Sequence, residues 1–223
     1  MYIAHTLCAP RSPSRASFRA PPTIGLRAEH DFYPTPPEAV RALLSVESFD
    51  GPIWEPACGD GAISKELERH GHQVHSTDLI DRGYGASEHD FLSPITLTRV
   101  MIEQPQLRHI ITNPPYGYKP GIGDKFVGQA LKVARTTGGK VAMLLNLASL
   151  ASRYRTAKWR NDPPARIHVL DDLICWPNGN PFGAGLSIVQ QRYCWVVWSP
   201  NRADGTQLTW LRMADFREQG GRA

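Results

Sequence analysis

The chain has 223 residues, which is long enough to bury the core of a single domain, and its composition is typical of a globular protein. Its formal net charge is +4, a modest basic excess that suits a polyanionic partner without requiring one. No apolar run reaches the length of a membrane span, and the four cysteines lie far apart, which argues against a membrane protein, a zinc site or a disulfide framework. We therefore expect a soluble, cytoplasmic protein with reduced thiols.

The N-terminal 28 residues contain four arginines, several serines and prolines, and no acidic residue. This composition predicts a disordered basic tail, although organelle transit peptides have a similar composition. The remainder, residues 29–223, is expected to form a single domain that begins with an extended, proline-rich segment at 31–37. Pro37 suits the first turn of the helix that follows, because its missing N–H would have no intrahelical partner there.

A glycine-rich turn lies between a short apolar run at 52–54 and a stretch with helical spacing at 62–70. Strand, glycine turn and helix are the first crossover of a dinucleotide-like βαβ unit. The turn does not match the GxGxxG pattern, and its acidic residues would repel a pyrophosphate and suit a cationic or amino-bearing ligand. It consists of Glu55, Pro56, Ala57, Cys58, Gly59, Asp60 and Gly61. We expect the Cys58 side chain to pack rather than react.

The run at 73–78 is predicted to be the second strand, and it ends in a carboxylate that could hydrogen-bond the hydroxyls of a ribose. The alternative role for this residue, Asp78, is to cap a following helix. Residues 89–92 resemble the end of a third strand, where Asp90 is available to an exocyclic amine and Phe91 to an adenine face. An adenosine with a cationic, amino-acid-like end is S-adenosylmethionine, which we therefore expect as the cofactor.

A buried strand predicted at 109–112 is followed by four residues that point to a specific chemistry. They are Asn113, Pro114, Pro115 and Tyr116. Two prolines cannot continue a central strand, so the strand ends at the sheet edge where ligands bind in open α/β folds. The Asn113 side-chain oxygen and the Pro114 carbonyl could accept both hydrogens of an exocyclic amine, while the Tyr116 ring could stack on a base. The alternative is a turn that merely ends a strand.

Residues 151–185 differ in composition from the preceding part and are predicted to be a substrate-recognition insert. Five basic residues alternate with two aromatic residues between 153 and 166, which suits phosphate contacts and base stacking. The alternative is a solvated helix face. A proline- and glycine-rich loop at 176–185 cannot be regular structure, and it is either a recognition or lid segment or an ordinary hairpin connection. The predicted substrate residues are Arg153, Arg155, Lys158, Trp159 and Phe182.

The βα repeat is predicted to continue with a helix at 124–137 and a buried strand at 140–146. The run at 190–198 is predicted to be a long strand with 206–211 as its hairpin partner. No separate region of the size normally used to read a DNA sequence is left, so a DNA substrate would imply short or relaxed specificity.

The glycine turn followed by the asparagine-proline-proline-tyrosine sequence resembles the S-adenosylmethionine-dependent N6-adenine DNA methyltransferases of bacteria and phages. The segment Phe32–Pro36 resembles an additional cofactor motif that precedes the glycine turn in that family. The resemblance covers about residues 31–150. It implies an α/β, Rossmann-like class I fold: a seven-stranded, mostly parallel sheet with helices on both faces and an antiparallel last strand.

The same resemblance implies which residues hold the cofactor. Glu55 and Gly59 would lie at its methionine end, Asp78 at the ribose, and Asp90 and Phe91 at the adenine. The complete set implied is Tyr33, Thr35, Pro36, Glu55, Pro56, Ala57, Cys58, Gly59, Gly61, Asp78, Asp90 and Phe91.

By resemblance, the chain is expected to move a methyl group from S-adenosylmethionine to N6 of an adenine rotated out of the DNA duplex. The alternatives are the same chemistry on RNA adenine or protein glutamine, and a non-catalytic nucleic-acid-binding module. DNA is the expected partner, in a bacterial or phage-infected cell, and no metal is required. The sequence does not predict the oligomeric state.

Overall fold

The computed structural model describes residues 28–117, 121–152, 155–181, 191–201 and 205–218. The predicted basic tail, apart from Ala28, lies outside these residues, as do the predicted substrate residues Arg153 and Phe182. Within the described ranges, no helix combines the length and the apolar character needed to cross a membrane.

Five α-helices and seven β-strands are found in the described part of the chain. In chain order they are α1 (Pro37–Val46), β1 (Ile53–Glu55), α2 (Ala62–Arg69), β2 (Val74–Ser76), α3 (Pro94–Glu103), β3 (His109–Thr112), α4 (Ile122–Thr137), β4 (Val141–Asn146), α5 (Thr156–Asn161), β5 (Arg166–Leu170), β6 (Tyr193–Trp198) and β7 (Gln207–Leu211). Short 3-10 turns occupy Glu29–Asp31, Leu147–Ala151, Pro177–Gly179 and Met213–Asp215.

The seven strands form one sheet in the order β2-β1-β3-β4-β6-β5-β7. Strand β6 runs antiparallel to both of its neighbours, and the remaining strands are parallel to one another. The predicted seven-stranded, mostly parallel sheet is therefore confirmed. The antiparallel strand, however, is β6 rather than the last strand of the chain.

The predicted hairpin between 190–198 and 206–211 is wrong. Both edges of β6 are already occupied, by β4 on one side and β5 on the other, so β7 adds to the free edge of β5 and runs parallel to it. Strand β5 itself lies inside the segment 151–185, so that part of the predicted insert belongs to the core sheet.

The predicted third strand end at 89–92 is also wrong. The Asp90 carboxylate accepts a hydrogen bond from the Leu92 backbone N–H at 2.9 Å, and the Asp90 carbonyl accepts one from Ser93 at 3.0 Å. These bonds close a turn directly before α3, whose first residue is Pro94. Aspartate favours turns because its side chain bonds nearby backbone N–H groups, and at Asp90 this preference outweighs the strand preference of the apolar residues.

Helices cover both faces of the sheet, as predicted from the resemblance. On one face, α1 and α2 pack on a buried cluster that includes Leu43, Leu67 and Trp195. On the other face, α3 and α4 pack on a second cluster that includes Trp54 and Phe126.

The carboxyl ends of β1, β2 and β3 meet at one edge of this sheet, because the three strands are parallel neighbours. The chain leaves these strands at Glu55, Ser76 and Thr112. The glycine turn, the loop with Asp78 and the loop with Asn113 are therefore brought to the same place.

Candidate active site

A cavity lies at this sheet edge, between the glycine turn, the loops after β2 and β3, and residues 30–35. The predicted residues that line it are Tyr33, Thr35, Glu55, Pro56, Ala57, Cys58, Gly59, Asp78, Asp90, Phe91, Asn113 and Pro115. Four other predicted residues, Pro36, Gly61, Pro114 and Tyr116, are not part of the lining.

The two glycines of the turn are required by backbone conformation and by close packing. Gly59 has φ of +57°, and a Cβ atom on it would lie 2.9 Å from the Phe32 ring. Gly61 has φ of +83°, and a Cβ atom on it would lie 2.4 Å from the Tyr84 ring. Both glycines thus lie against an aromatic ring, but only Gly59 also lines the cavity.

Asp78 ties the glycine turn to the loop after β2. Its carboxylate accepts the backbone N–H of Gly59 at 2.8 Å and that of Ile80 at 2.8 Å. No helix begins between 79 and 93, so the helix-cap alternative for Asp78 is wrong. The carboxylate borders the cavity while its backbone bonds hold it in place.

The floor of the cavity is acidic and buried. Glu55 is only 1% exposed and accepts a hydrogen bond from the Ser64 hydroxyl. Burial raises the pKa of the Glu55 carboxyl well above its usual range, and the negative charges of Asp78 and Asp60 raise it further. The Oδ1 atom of Asp60 is buried and has no hydrogen-bond partner among the described residues. A cation bound here would favour ionised Glu55 and give Asp60 a partner.

Cys58 is buried beside these acids. Burial, together with the nearby charges of Glu55 and Asp78, raises the pKa of its thiol to about 12. A thiol with such a pKa stays protonated near neutral pH and is a weak nucleophile. These properties favour the predicted packing role of Cys58.

The Asn113 amide is fixed by partners on both of its ends. Its Nδ2 group donates to the Tyr33 carbonyl and to the Thr35 hydroxyl oxygen, both at 3.1 Å. Its Oδ1 atom accepts from the Tyr116 hydroxyl at 2.7 Å. Because a carbonyl can only accept, the Tyr33 carbonyl determines which end of the amide is the donor.

Tyr116 lies inward rather than beside the cavity. Its ring packs against both core clusters, and its hydroxyl is 2.6 Å from the Leu144 carbonyl as well as 2.7 Å from Asn113 Oδ1. Burial raises the pKa of this phenol well above its usual range. The hydroxyl has one proton for two acceptors, and the ring would have to turn outward to stack on a base.

Several residues of the site were not predicted from the sequence. Asp31 accepts two backbone N–H groups of the Asn113 loop, and the Arg82 guanidinium lies 4.1 Å from the centre of the Phe32 ring at the cavity wall. Phe126 of α4 packs 5.1 Å from Phe91. Asp31 stands at the start of the predicted extended segment, but its partners are 85 and 86 residues further along the chain.

The predicted substrate residues that the structure describes lie outside the cavity. Arg155 forms an ion pair with Asp124 of α4. The Trp159 ring packs 5.6 Å from Trp198, at the end of the sheet opposite the cavity. Lys158 is exposed. The basic segment is thus partly used in packing, and its contact with a substrate stays a prediction.

In sequence comparisons, no protein-family model matches the chain, and no curated protein matches it. Solved structures do match. The DrdV–DNA complex, determined by electron cryomicroscopy, matches with a TM-score of 0.54 and 16% identity over 86% of this chain and 29% of that chain. The M protein of the type I restriction enzyme EcoKI matches with a TM-score of 0.53 and 14% identity over 80% and 48% of the two chains.

A protein from Listeria monocytogenes, assigned to the class I S-adenosylmethionine-dependent methyltransferases, has a TM-score of 0.45 and 14% identity over 78% of this chain and 62% of its own. The chain spans less than two thirds of the length of each of these three proteins. Together with the strand order and the antiparallel strand β6, the likeness to DrdV and EcoKI shows the fold. The chain has a Rossmann-like fold, with a seven-stranded, mostly parallel sheet and helices on both faces.

Proposed function

We propose that this protein is an S-adenosylmethionine-dependent methyltransferase that modifies the N6 amino group of adenine in DNA. The observation that carries the proposal is the Asn113 amide, which is oriented by Tyr33 and Thr35 at the border of an acidic cavity. The oxygen of this amide accepts from the Tyr116 hydroxyl in the structure, and once released it would be a hydrogen-bond acceptor beside a site suited to a cation.

The residues of the cavity fit the proposed cofactor. Glu55 and Asp60 would face its positively charged methionine end, because a cation would stabilise ionised Glu55 and give Asp60 Oδ1 a partner that the described residues do not supply. Asp78 would hold the ribose hydroxyls, and Asp90 and Phe91 would border the adenine. When bound, S-adenosylmethionine supplies a methyl group on a sulfonium, which is a good leaving group.

The Asn113 loop would make the adenine amine reactive. The lone pair of this nitrogen is delocalised into the ring, so the free amine is a poor nucleophile. Accepting its two hydrogens on Asn113 Oδ1 and the Pro114 carbonyl would localise the lone pair and direct it toward the methyl group. The Tyr116 hydroxyl would first release both Asn113 Oδ1 and the Leu144 carbonyl as its ring turns outward.

DNA is the substrate that the remaining observations favour. The DrdV chain with a similar fold is in complex with DNA, and the similar EcoKI chain is a restriction-enzyme subunit. The formal net charge of +4 and exposed basic residues such as Lys158 suit a phosphate backbone. Rotation of the base out of the duplex would bring its amine to Asn113, and an outward Tyr116 ring would stack on it.

The test is transfer of labelled methyl from S-adenosylmethionine to unmethylated DNA, bulk RNA and a protein extract in parallel, with labelled nucleosides identified by mass. We expect N6-methyladenine in DNA alone. Label in RNA or protein would keep the chemistry and overturn the substrate. No label in any of the three would contradict the proposal.

Asn113→Ala tests the proposed mechanism directly. Loss of one acceptor used in the transition state should lower kcat by about 100-fold or more, while the affinity for S-adenosylmethionine stays within about threefold. Asn201→Ala is the matched control, since Asn201 is exposed and is not part of the cavity lining. Undiminished activity of Asn113→Ala would remove this account of the loop.

A further inference from the structure

A short segment before α1, residues 30–35, contacts both the glycine turn and the Asn113 loop, and we call it the N-terminal strap. Its first turn is unusual, because His30 and Asp31 have φ of 52° and 58°. Residues with a Cβ atom rarely adopt this left-handed conformation, which persists only where the surroundings enforce it. The strap is therefore held in place by specific contacts.

The carboxylate of Asp31 holds the backbone of the Asn113 loop. One of its oxygens, Oδ2, accepts the N–H of Tyr116 at 3.0 Å and the N–H of Gly117 at 2.7 Å. Because Pro114 and Pro115 have no N–H, these two groups are the first backbone donors after Asn113. Asp31 is 8% exposed, so the charge-assisted bonds are largely protected from water.

The strap holds the other side of the same loop through its own backbone and a hydroxyl group. Asn113 donates to the Tyr33 carbonyl and to Thr35, as described above. The strap is itself fixed, because the Phe32 carbonyl accepts the N–H of Asn178 at 3.0 Å. Its contacts thus lie on both sides of the Pro114 carbonyl.

We propose that Asp31 is a positioning residue for methyl transfer, one that aims the Asn113 oxygen and the Pro114 carbonyl at the substrate amine by holding the loop at Tyr116 and Gly117. This inference rests on the proposed function. Asp31 acts through the loop backbone and touches neither the methyl group nor the amine. If the Asn113 loop were released on one side, the protein would still bind the cofactor. The Asn113 oxygen and the Pro114 carbonyl, however, would point away from the substrate amine.

The test compares Asp31→Ala, Asp31→Asn and the control Glu29→Ala, whose side chain lies two residues earlier and is 89% exposed. Each variant is measured for kcat, for the affinity toward S-adenosylmethionine, and for hydrogen exchange of the Tyr116 and Gly117 amides. Misplacement of a reacting group by about 1 Å lowers rates by about 100-fold. We expect a kcat loss of about 10- to 100-fold in Asp31→Ala, with faster amide exchange and cofactor affinity within about threefold.

Asp31→Asn keeps an oxygen acceptor without the charge, so we expect it to recover at least part of the lost kcat and of the amide protection. Wild-type kcat in Asp31→Ala would overturn the inference. So would a loss of kcat in Asp31→Asn with both amides still protected, because the loss would then not act through the loop. If the wild-type protein transferred no methyl group at all, the proposed function would fail, while amide exchange would still show whether Asp31 holds the loop.

Discussion

Acid should destabilise this protein through one carboxylate, that of Glu47, which follows α1. Its side chain is 1% exposed and contacts three basic residues at the amino end of the sheet. Lys140 Nζ donates to it at 3.0 Å, Arg166 donates through two nitrogens, and His168 Nε2 lies at 3.2 Å. Burial alone would raise the pKa of Glu47, but the hydrogen bonds from His168, Arg166 and Lys140 outweigh it and lower the pKa from 4.5 to about 2.

The sign and size of the effect follow from this shift. A carboxyl group whose pKa is lower in the folded than in the unfolded protein stabilises the folded state at pH values above its unfolded-state pKa. For Glu47 this stabilisation is lost as the pH falls from about 4.5 to about 2. The difference corresponds to about 3 kcal/mol near neutral pH, at about 1.4 kcal/mol per tenfold change in the protonation constant. Between about pH 7 and pH 3.5, about 1 kcal/mol of it should disappear.

Denaturant unfolding of the wild type and Glu47→Gln at these two pH values measures the effect. The variant should be less stable than the wild type by about 3 kcal/mol near pH 7, and this difference should shrink by about 1 kcal/mol near pH 3.5. Glu103→Gln is the matched control, because Glu103 is half exposed and pairs with Arg99 on the protein surface. A difference between Glu47→Gln and wild type that is the same at both pH values would refute the reasoning.

Two further predictions concern the cavity. A bound cation lowers the raised pKa of Glu55, so binding of S-adenosylmethionine should release a proton and tighten as the pH rises. Glu55→Gln should lose this dependence, and calorimetry in buffers of different ionisation enthalpy measures it; equal proton release from both proteins would contradict the prediction. Gly59→Ala should weaken cofactor binding by about 10-fold or more, because its Cβ atom would meet the Phe32 ring. Gly71→Ala is the matched control, because Gly71 also has a positive φ but a Cβ atom on it would meet no atom within 4 Å. If both substitutions weakened binding equally, the glycine turn after β1 would have no specific role.

The sequence predicted best what single residues impose on their own backbone. Pro114 and Pro115 end β3 where predicted, Pro37 begins α1, and Gly59 forms the turn after β1. Each of these residues restricts or widens the allowed backbone conformations by itself. The order of the elements and the sheet edge that carries the cavity follow from such local signals.

Contacts between distant parts of the chain were not predictable in the same way. Strand β7 pairs with β5 because β6 has no free edge, which depends on the complete sheet rather than on residues 206–211. The bond between Asp31 and Tyr116 joins residues 85 positions apart. Likewise, the inward position of the Tyr116 ring is decided by packing against the core, and its own sequence motif predicts only an aromatic side chain at the strand end.

The two ends of the sheet differ in how their charges are satisfied, and this difference has a functional consequence. At the amino end, Glu47 is surrounded by donors that keep it ionised and stabilise the fold. At the carboxyl end, burial opposes ionisation of Glu55, and Asp60 leaves a buried oxygen without a partner among the described residues. A bound cation would relieve this unfavourable electrostatics, so part of the binding free energy of a positively charged cofactor would come from stabilising these two carboxylates. Replacing Glu55 by a neutral residue should therefore stabilise the free protein while weakening the complex.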